Sequence, residues 1–123
     1  MAQILVIDDE PSLRTMIRQI LECEGHRVLE AAEGSEGIRL QKRTPSDLII
    51  SDILMPDKEG LETIMELRRQ FPAIDIIAIS GGLIGFDVLD VAKKLGARYT
   101  LAKPFSLPDL LKAVRSSLEE KTS

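Results

Sequence analysis

Residues 4–10 read ILVIDDE, four apolar residues followed directly by three acids. An apolar run without alternation is typical of a strand that is covered on both faces, as the strands of parallel sheets are. Pro11 follows at once, and proline suits the first turn of a helix because a missing N–H costs nothing there. The stretch therefore predicts a buried strand, an acidic turn and the start of a helix.

The same order of strand and helix repeats along the chain. The further apolar runs predicted as strands are Val28-Leu29, Leu48-Ile49-Ile50, Ile74 to Ile79 and Tyr99 to Ala102. Three predicted helices have apolar residues at helical spacing: Leu13, Met16, Ile17, Ile20 and Leu21; Leu61, Ile64, Met65 and Leu67; and Leu107, Leu110, Leu111, Val114 and Leu118. Five strand–helix units in succession predict a parallel sheet with helices on both faces. A closed barrel of eight units would need about twice this length, so we expect an α/β fold with an open, doubly wound sheet.

Composition limits the classes of protein to consider. The chain has 123 residues and ordinary globular composition, so we expect a single domain over residues 1–123. The net charge is −4 and there is no run of Lys or Arg, so we expect no direct contact with nucleic acid. The single cysteine, Cys23, cannot form an internal disulfide, and neither a leader nor a membrane-length apolar run is present. These features predict a cytoplasmic protein without membrane contact.

Polar side chains follow four of the five predicted strands. Asp8 and Asp9 follow the first, Asp52 the third, Ser80 the fourth and Lys103 the fifth. In open doubly wound sheets, ligands bind beyond the carboxyl ends of the strands, where the strand order reverses. Three neighbouring carboxylates repel one another unless a proton or a cation is present, and an all-oxygen site suits Mg²⁺. A metal would let an aspartate act as a nucleophile towards phosphorus, with Lys103 and Ser80 available for phosphoryl oxygens.

Each of these residues also has an ordinary explanation when it is taken singly. Asp8 and Asp9 could be acidity at the start of a helix, Ser80 part of a turn, and Lys103 a surface lysine. Those explanations do not account for the arrival of all of them at strand ends of one sheet.

At this point the sequence resembles a known family, the receiver domains of bacterial two-component response regulators, and in particular the stand-alone regulators of the chemotaxis type. The matching elements, in order, are residues 4–10, Asp52 to Pro56, Ser80, Gly96-Ala97 and Lys103-Pro104-Phe105. The resemblance implies a (βα)5 flavodoxin-like fold with five strands in the order 2-1-3-4-5. It also implies a phosphorelay switch and not an enzyme, with self-catalysed phosphotransfer and autodephosphorylation as its only chemistry.

The resemblance further implies a role for each acidic residue of the site. Asp52 would accept a phosphoryl group from the phosphohistidine of a sensor histidine kinase or a phosphotransfer protein. Asp9, Asp52 and the backbone carbonyl of Leu54 would bind Mg²⁺ directly, and Asp8 would hold the metal through water.

The remaining roles concern the switch. By resemblance, Ser80 is the hydroxyl that moves onto the phosphoryl group and Lys103 the lysine that pairs with it, and the peptide bond from Lys103 to Pro104 is cis. Phosphorylation would alter the face of the fourth helix, fifth strand and fifth helix for a downstream protein target. Thr100 stands where the family usually has an aromatic residue. Tyr99 is its neighbour, but neighbouring strand residues point to opposite faces, so Tyr99 is not a simple substitute.

Other classes of protein remain open alternatives. The chain could be a receiver-like adaptor that acts by contact alone and is never phosphorylated, although an adaptor has no chemical need for the pocket residues. Phosphatases of the haloacid dehalogenase class use an Asp-x-Asp pattern after the first strand, which Asp8-Asp9-Glu10 does not offer. A flavin-binding module would need a Ser/Thr-rich phosphate loop at that place, where the acids here would repel a phosphate.

Overall fold

The structure is a computed structural model that describes residues 2–53, 59–81 and 85–122. Strands and helices alternate along these residues. The strands are β1 (Gln3–Ile7), β2 (Arg27–Ala31), β3 (Leu48–Asp52), β4 (Asp75–Gly81) and β5 (Tyr99–Lys103). The helices are α1 (Pro11–Cys23), α2 (Gly34–Arg43), α3 (Glu59–Gln70), α4 (Gly85–Leu95) and α5 (Leu107–Thr122). Each predicted strand and helix is therefore present in the predicted order.

The five strands form one sheet in the order β2-β1-β3-β4-β5, and all neighbours are parallel. This order confirms the prediction of an open, doubly wound, flavodoxin-like fold. It reverses direction at β1, since the chain moves outward from β1 to β2 and then back across to β3. The carboxyl ends of β1 and β3 therefore lie side by side at the switch point, where such sheets bind ligands.

The sheet separates two apolar layers, which explains why its strands are apolar on both faces. On one face, α1 and α5 pack through Ile17, Leu21, Leu110, Ala113 and Val114. On the other face, α3 and α4 contribute Ile64, Leu67 and Ala92, with side chains of α2 packed alongside. Residues 4–7 of β1 are at most 1% exposed, so the run that predicted a covered strand is covered as expected.

Three apolar residues that the helical spacing assigned to buried stripes are wrongly assigned. Met16, Met65 and Leu107 are 43%, 52% and 50% exposed. Met16 and Met65 each lie next to a fully buried isoleucine, Ile17 or Ile64, and adjacent helical residues are about 100° apart around the axis. A sheet covers only one side of each helix, so these flanking positions remain at the solvent edge.

The helix starts agree with the local sequence signals. Pro11 is the first residue of α1. At the start of α5, the Asp109 backbone N–H donates to Ser106 Oγ at 3.1 Å, and the Ser106 N–H donates to Asp109 Oδ2 at 3.4 Å. This reciprocal pair is a capping box, which satisfies two donors at the helix end. No helix within the described residues has the length and apolarity needed to cross a membrane.

Candidate functional site

The sheet brings three of the predicted residues to the same edge. Asp52 is the last residue of β3 and pairs with Ile79 of β4. Asp8 directly follows β1, and its N–H donates to the carbonyl oxygen of Ala31 in β2 at 3.0 Å, so the strand pairing continues through Asp8. Lys103 is the last residue of β5. Parallel strands place their carboxyl ends at one edge, which is why residues far apart in sequence meet here.

The carboxylates of Asp8, Asp9 and Asp52 form a cluster at this edge. One oxygen from each lies within 4.8 Å of the others. Asp8 is 1% exposed and Asp52 is 3% exposed, whereas Asp9 is exposed. The cluster therefore combines two buried acids with one that faces solvent.

Lys103 places a positive charge between the two buried acids. Its Nζ donates to Asp52 Oδ2 at 3.0 Å and lies 3.6 Å from Asp8 Oδ2. Burial by itself would lower the pKa of Lys103, but the hydrogen bond to Asp52 and the charges of both acids raise it overall. Lys103 is therefore a protonated lysine that partly neutralises the cluster.

Asp8 takes part in several hydrogen bonds, yet one of its carboxylate oxygens accepts none. Its Oδ1 accepts a hydrogen bond from the Glu10 N–H at 2.8 Å, while its buried Oδ2 has no hydrogen-bond partner among the described residues. Burial, followed by repulsion from Asp52 and Asp9, raises the pKa of Asp8 to about 6, against the opposing effects of the Glu10 N–H and Lys103. The Lys103 ammonium, 3.6 Å from Oδ2, offsets only part of this effect, so an ionised Asp8 remains costly unless a further cation approaches Oδ2.

These groups fit a hard divalent cation. The donors are carboxylate oxygens, and the buried Asp8 Oδ2 makes no hydrogen bond within the described residues. This donor set suits Mg²⁺ and not Zn²⁺ or copper. The further ligand that the resemblance implied, the backbone carbonyl of Leu54, lies outside the described residues. Asp8, Asp9 and Asp52 are the residues that would hold the metal.

Ser80 lies at the neighbouring strand end, on β4. On β4, Ser80 lies between Ile79, which pairs with Asp52, and Gly81, which pairs with Lys103. Along the strand direction it is therefore level with the space between Asp52 and Lys103. Its side chain is fully buried, and its Oγ makes no hydrogen bond within the described part of the chain. A buried hydroxyl without a partner is costly and is satisfied if an acceptor comes within reach.

Two features at β5 agree with the sequence analysis. The peptide bond from Lys103 to Pro104 is cis, as the resemblance implied. Tyr99 packs against the core on the side of α1 and α5, whereas Thr100 pairs with Ala78, which belongs to the core on the opposite side. Tyr99 and Thr100 therefore face opposite sides of the sheet, as strand alternation predicted.

One contact at the site was not predicted. The Arg14 guanidinium in α1 donates from Nη1 to the backbone carbonyl oxygen of Asp8 at 2.6 Å and from Nε to Glu30 Oε1 at 3.0 Å. Arg14 looked like an ordinary polar residue of an amphipathic helix. No local pattern could have identified it, because its second partner lies on β2.

Comparisons with known proteins agree on the class of this fold and site. The family model for the response regulator receiver domain matches residues 4–115. A solved receiver domain protein from Clostridium thermocellum is 32% identical, with a TM-score of 0.92 and coverage of 99% of this chain and 98% of that one. PilH of Pseudomonas aeruginosa is 32% identical over 120 residues, which cover 96% of this chain and 98% of PilH. The regulatory protein PhoP of Bacillus subtilis is 32% identical over 116 residues, or 94% of this chain and 48% of PhoP.

The fold, the acidic pocket and these matches define a signalling switch of the phosphorelay class. This chain belongs to the response regulator receiver domain family. It spans about half the length of several curated relatives, including PhoP, and nearly the full length of PilH.

Proposed function

We propose that this protein is a receiver switch in which Asp52 accepts a phosphoryl group from the phosphohistidine of a sensor histidine kinase or a phosphotransfer protein, in a Mg²⁺-dependent step. The observation that supports the proposal most directly is the contact of Lys103 Nζ with Asp52 Oδ2 at 3.0 Å, inside a cluster of three carboxylates. A lysine at this position can follow the negative charge from the carboxylate to a phosphoryl oxygen.

The transfer requires a nucleophile and charge compensation. An Asp52 carboxylate oxygen attacks phosphorus, the P–N bond of the phosphohistidine breaks, and its electron pair returns to the imidazole, which takes up a proton. Mg²⁺, held by Asp8, Asp9 and Asp52 together with the carbonyl of Leu54, would neutralise charge on the phosphoryl oxygens. The ammonium of Lys103 supplies the second positive charge from within the chain itself.

The switch follows from the unused donor at Ser80. A phosphoryl group on Asp52 brings acceptor oxygens to the edge where the Ser80 hydroxyl is buried without a partner. Binding of that hydroxyl and of Lys103 to the new charge favours the active arrangement over the inactive one. The face formed by α4, β5 and α5 changes with it, and a downstream protein target binds this altered face.

The proposal covers the chain as a unit. We take residues 1–123 as one receiver domain, because a single sheet extends from β1 to β5 with helices on both faces. The domain does not turn over a substrate, and its chemistry is limited to its own phosphorylation and autodephosphorylation. The alternative, an adaptor that acts by contact alone, is the outcome that remains if no phosphoryl group is accepted.

Intact mass spectrometry tests the proposal. Wild-type protein, Asp52→Asn and Asp90→Asn are incubated with Mg²⁺ and a small-molecule phosphodonor, with and without a chelator. Asp90 is a suitable control because it is an exposed aspartate of α4 that pairs with Lys94 and is not one of the clustered carboxylates. We expect one added phosphoryl group in the wild type and in Asp90→Asn, and none in Asp52→Asn or with the chelator. A folded wild type that gains no mass would favour the adaptor.

A further inference from the structure

We propose that Arg14 is a positioning residue for the Mg²⁺ pocket, fixing the Asp8 backbone from which the two metal-binding acids of the β1–α1 turn project. The inference deepens the proposed function and rests on it. Three hydrogen bonds restrain Asp8. The N–H of Asp8 donates to Ala31, its Oδ1 accepts from Glu10, and its carbonyl oxygen accepts from Arg14. These contacts leave Oδ2 as the buried oxygen without a hydrogen-bond partner.

Through Arg14, the β1–α1 turn is also connected to strand β2. Arg14 is on the first turns of α1, and helical side chains point back towards the helix start, so its guanidinium reaches the carbonyl of Asp8. Glu30 on β2 accepts from Arg14 Nε at 3.0 Å, and the two side chains are only 17% and 23% exposed. The planar fork of the guanidinium lets it bind both partners at once in a fixed direction.

Arg18 provides an internal comparison. It lies one turn further along α1 and also donates to Glu30, at 2.8 Å, with a further bond to Glu22. It is 48% exposed, and none of its hydrogen bonds within the described residues goes to Asp8. The two arginines therefore carry the same charge and share Glu30, but Arg14 alone of this pair bonds to the backbone of the acidic turn.

Charge and positioning predict opposite effects on the metal. Arg14 is a cation near a cation site, so its removal would strengthen Mg²⁺ binding if only its charge mattered. If Arg14 holds the turn in place, its removal weakens Mg²⁺ binding. Groups that do not touch the metal but hydrogen-bond to its ligands and orient them contribute about tenfold or more to metal affinity. The direction of the change thus separates the two roles.

The test is a Mg²⁺ titration followed by ¹⁵N chemical shifts on the full chain, which needs no phosphorylation. We expect a dissociation constant about tenfold higher in Arg14→Gln and a change within about twofold in Arg18→Gln, since exposed ion pairs contribute little. Arg14→Lys keeps the charge without the fork, and we expect it to resemble Arg14→Gln. The dispersion of the same spectra confirms that each variant is folded. If Arg14→Gln does not fold, Arg14→Lys carries the test, because weaker Mg²⁺ binding at unchanged charge cannot come from electrostatics.

Several results would overturn the inference. Unchanged or tighter binding in Arg14→Gln, or equal weakening in Arg18→Gln, would show that Arg14 does not position the site. An Arg14→Lys variant that binds like the wild type would show that the bond of the planar guanidinium to both Asp8 and Glu30 is not what positions the turn. If the wild type binds no Mg²⁺, the metal-dependent function fails together with the inference. If the wild type binds Mg²⁺ and takes up a phosphoryl group while Arg14→Gln binds Mg²⁺ equally well, the inference alone fails.

Discussion

Replacing Asp8 with asparagine is expected to stabilise the metal-free protein at neutral pH. Asp8 is 1% exposed, lies beside Asp52 and keeps one carboxylate oxygen without a hydrogen bond. The substitution removes the buried negative charge but retains an Oδ1 that can accept from the Glu10 N–H. Asp8, a proposed metal ligand, is therefore expected to reduce the stability of the metal-free protein.

The magnitude follows from the pKa of Asp8, which rises from 3.8 to about 6. Each pKa unit corresponds to about 1.4 kcal/mol, so the ionised carboxylate costs about 3 kcal/mol in the folded state. We expect a gain of about 1–3 kcal/mol in the free energy of unfolding, since the new amide faces the ammonium of Lys103 and loses some of the benefit. Because the folded pKa is the higher one, the cost is absent below pH 3.8, grows between pH 3.8 and 6 and is complete above about pH 6.

Urea denaturation measures this gain. Wild type, Asp8→Asn and Asp9→Asn are compared at about pH 7.5 with a chelator, and again at about pH 4. Asp9→Asn is the matched control, because it removes one charge from the same turn at an exposed position. We expect Asp8→Asn to be the most stable at the higher pH and its advantage to vanish at the lower one. Added Mg²⁺ should stabilise the wild type more than Asp8→Asn, which narrows the difference.

The reasoning would be refuted by an Asp8→Asn variant no more stable than the wild type at about pH 7.5 without metal. It would also be refuted if Asp9→Asn raised the free energy of unfolding as much as Asp8→Asn. The effect would then come from the net charge of the turn and not from burial of Asp8.

Further predictions concern metal affinity, packing and the lifetime of the phosphoryl group. Because Mg²⁺ competes with a proton for Asp8, whose pKa is about 6, the apparent dissociation constant should be about tenfold higher at pH 5 than at pH 7; a flat titration would contradict this. A Cβ at Gly60 would lie 2.2 Å from Ile53 Cα, so Gly60→Ala should cost about 2 kcal/mol in urea denaturation. Gly37→Ala should cost less, because its Cβ would meet side-chain atoms of Ile7 and not backbone. Leu54 stands two residues after Asp52, where an apolar side chain is expected to hinder an attacking water. Leu54→Asn should therefore accelerate loss of the phosphoryl group, followed by intact mass, and an equal rate would reject this expectation.

Much of the fold and part of the site follow from the sequence because they depend on local pattern and on simple topology. Residues 4–10 predicted a covered strand with acids at its end, and β1 is covered on both faces. Once five strand–helix units imply a parallel sheet, the carboxyl ends must share one edge, so the convergence of Asp8, Asp52 and Lys103 could be predicted without coordinates. The opposite orientation of Tyr99 and Thr100 follows from strand alternation alone.

Other features were beyond the sequence because they depend on how elements from distant parts of the chain pack. Met16 fits a helical stripe, and only its position against the sheet shows that it lies at the solvent edge. Asp8 and Asp9 are adjacent and identical in type, yet only the first is buried, and this difference in solvation raises its pKa. The link from Arg14 to Glu30 joins residues 16 apart in the chain.

The sequence by itself thus determined which elements form, their order and which strand ends carry charge, because hydrophobic period and chain topology constrain these features strongly. The tertiary structure alone decided which of those charges are desolvated and which side chains restrain them. Solvation and hydrogen-bond geometry depend on distances between packed elements, and a linear pattern of residues does not contain those distances.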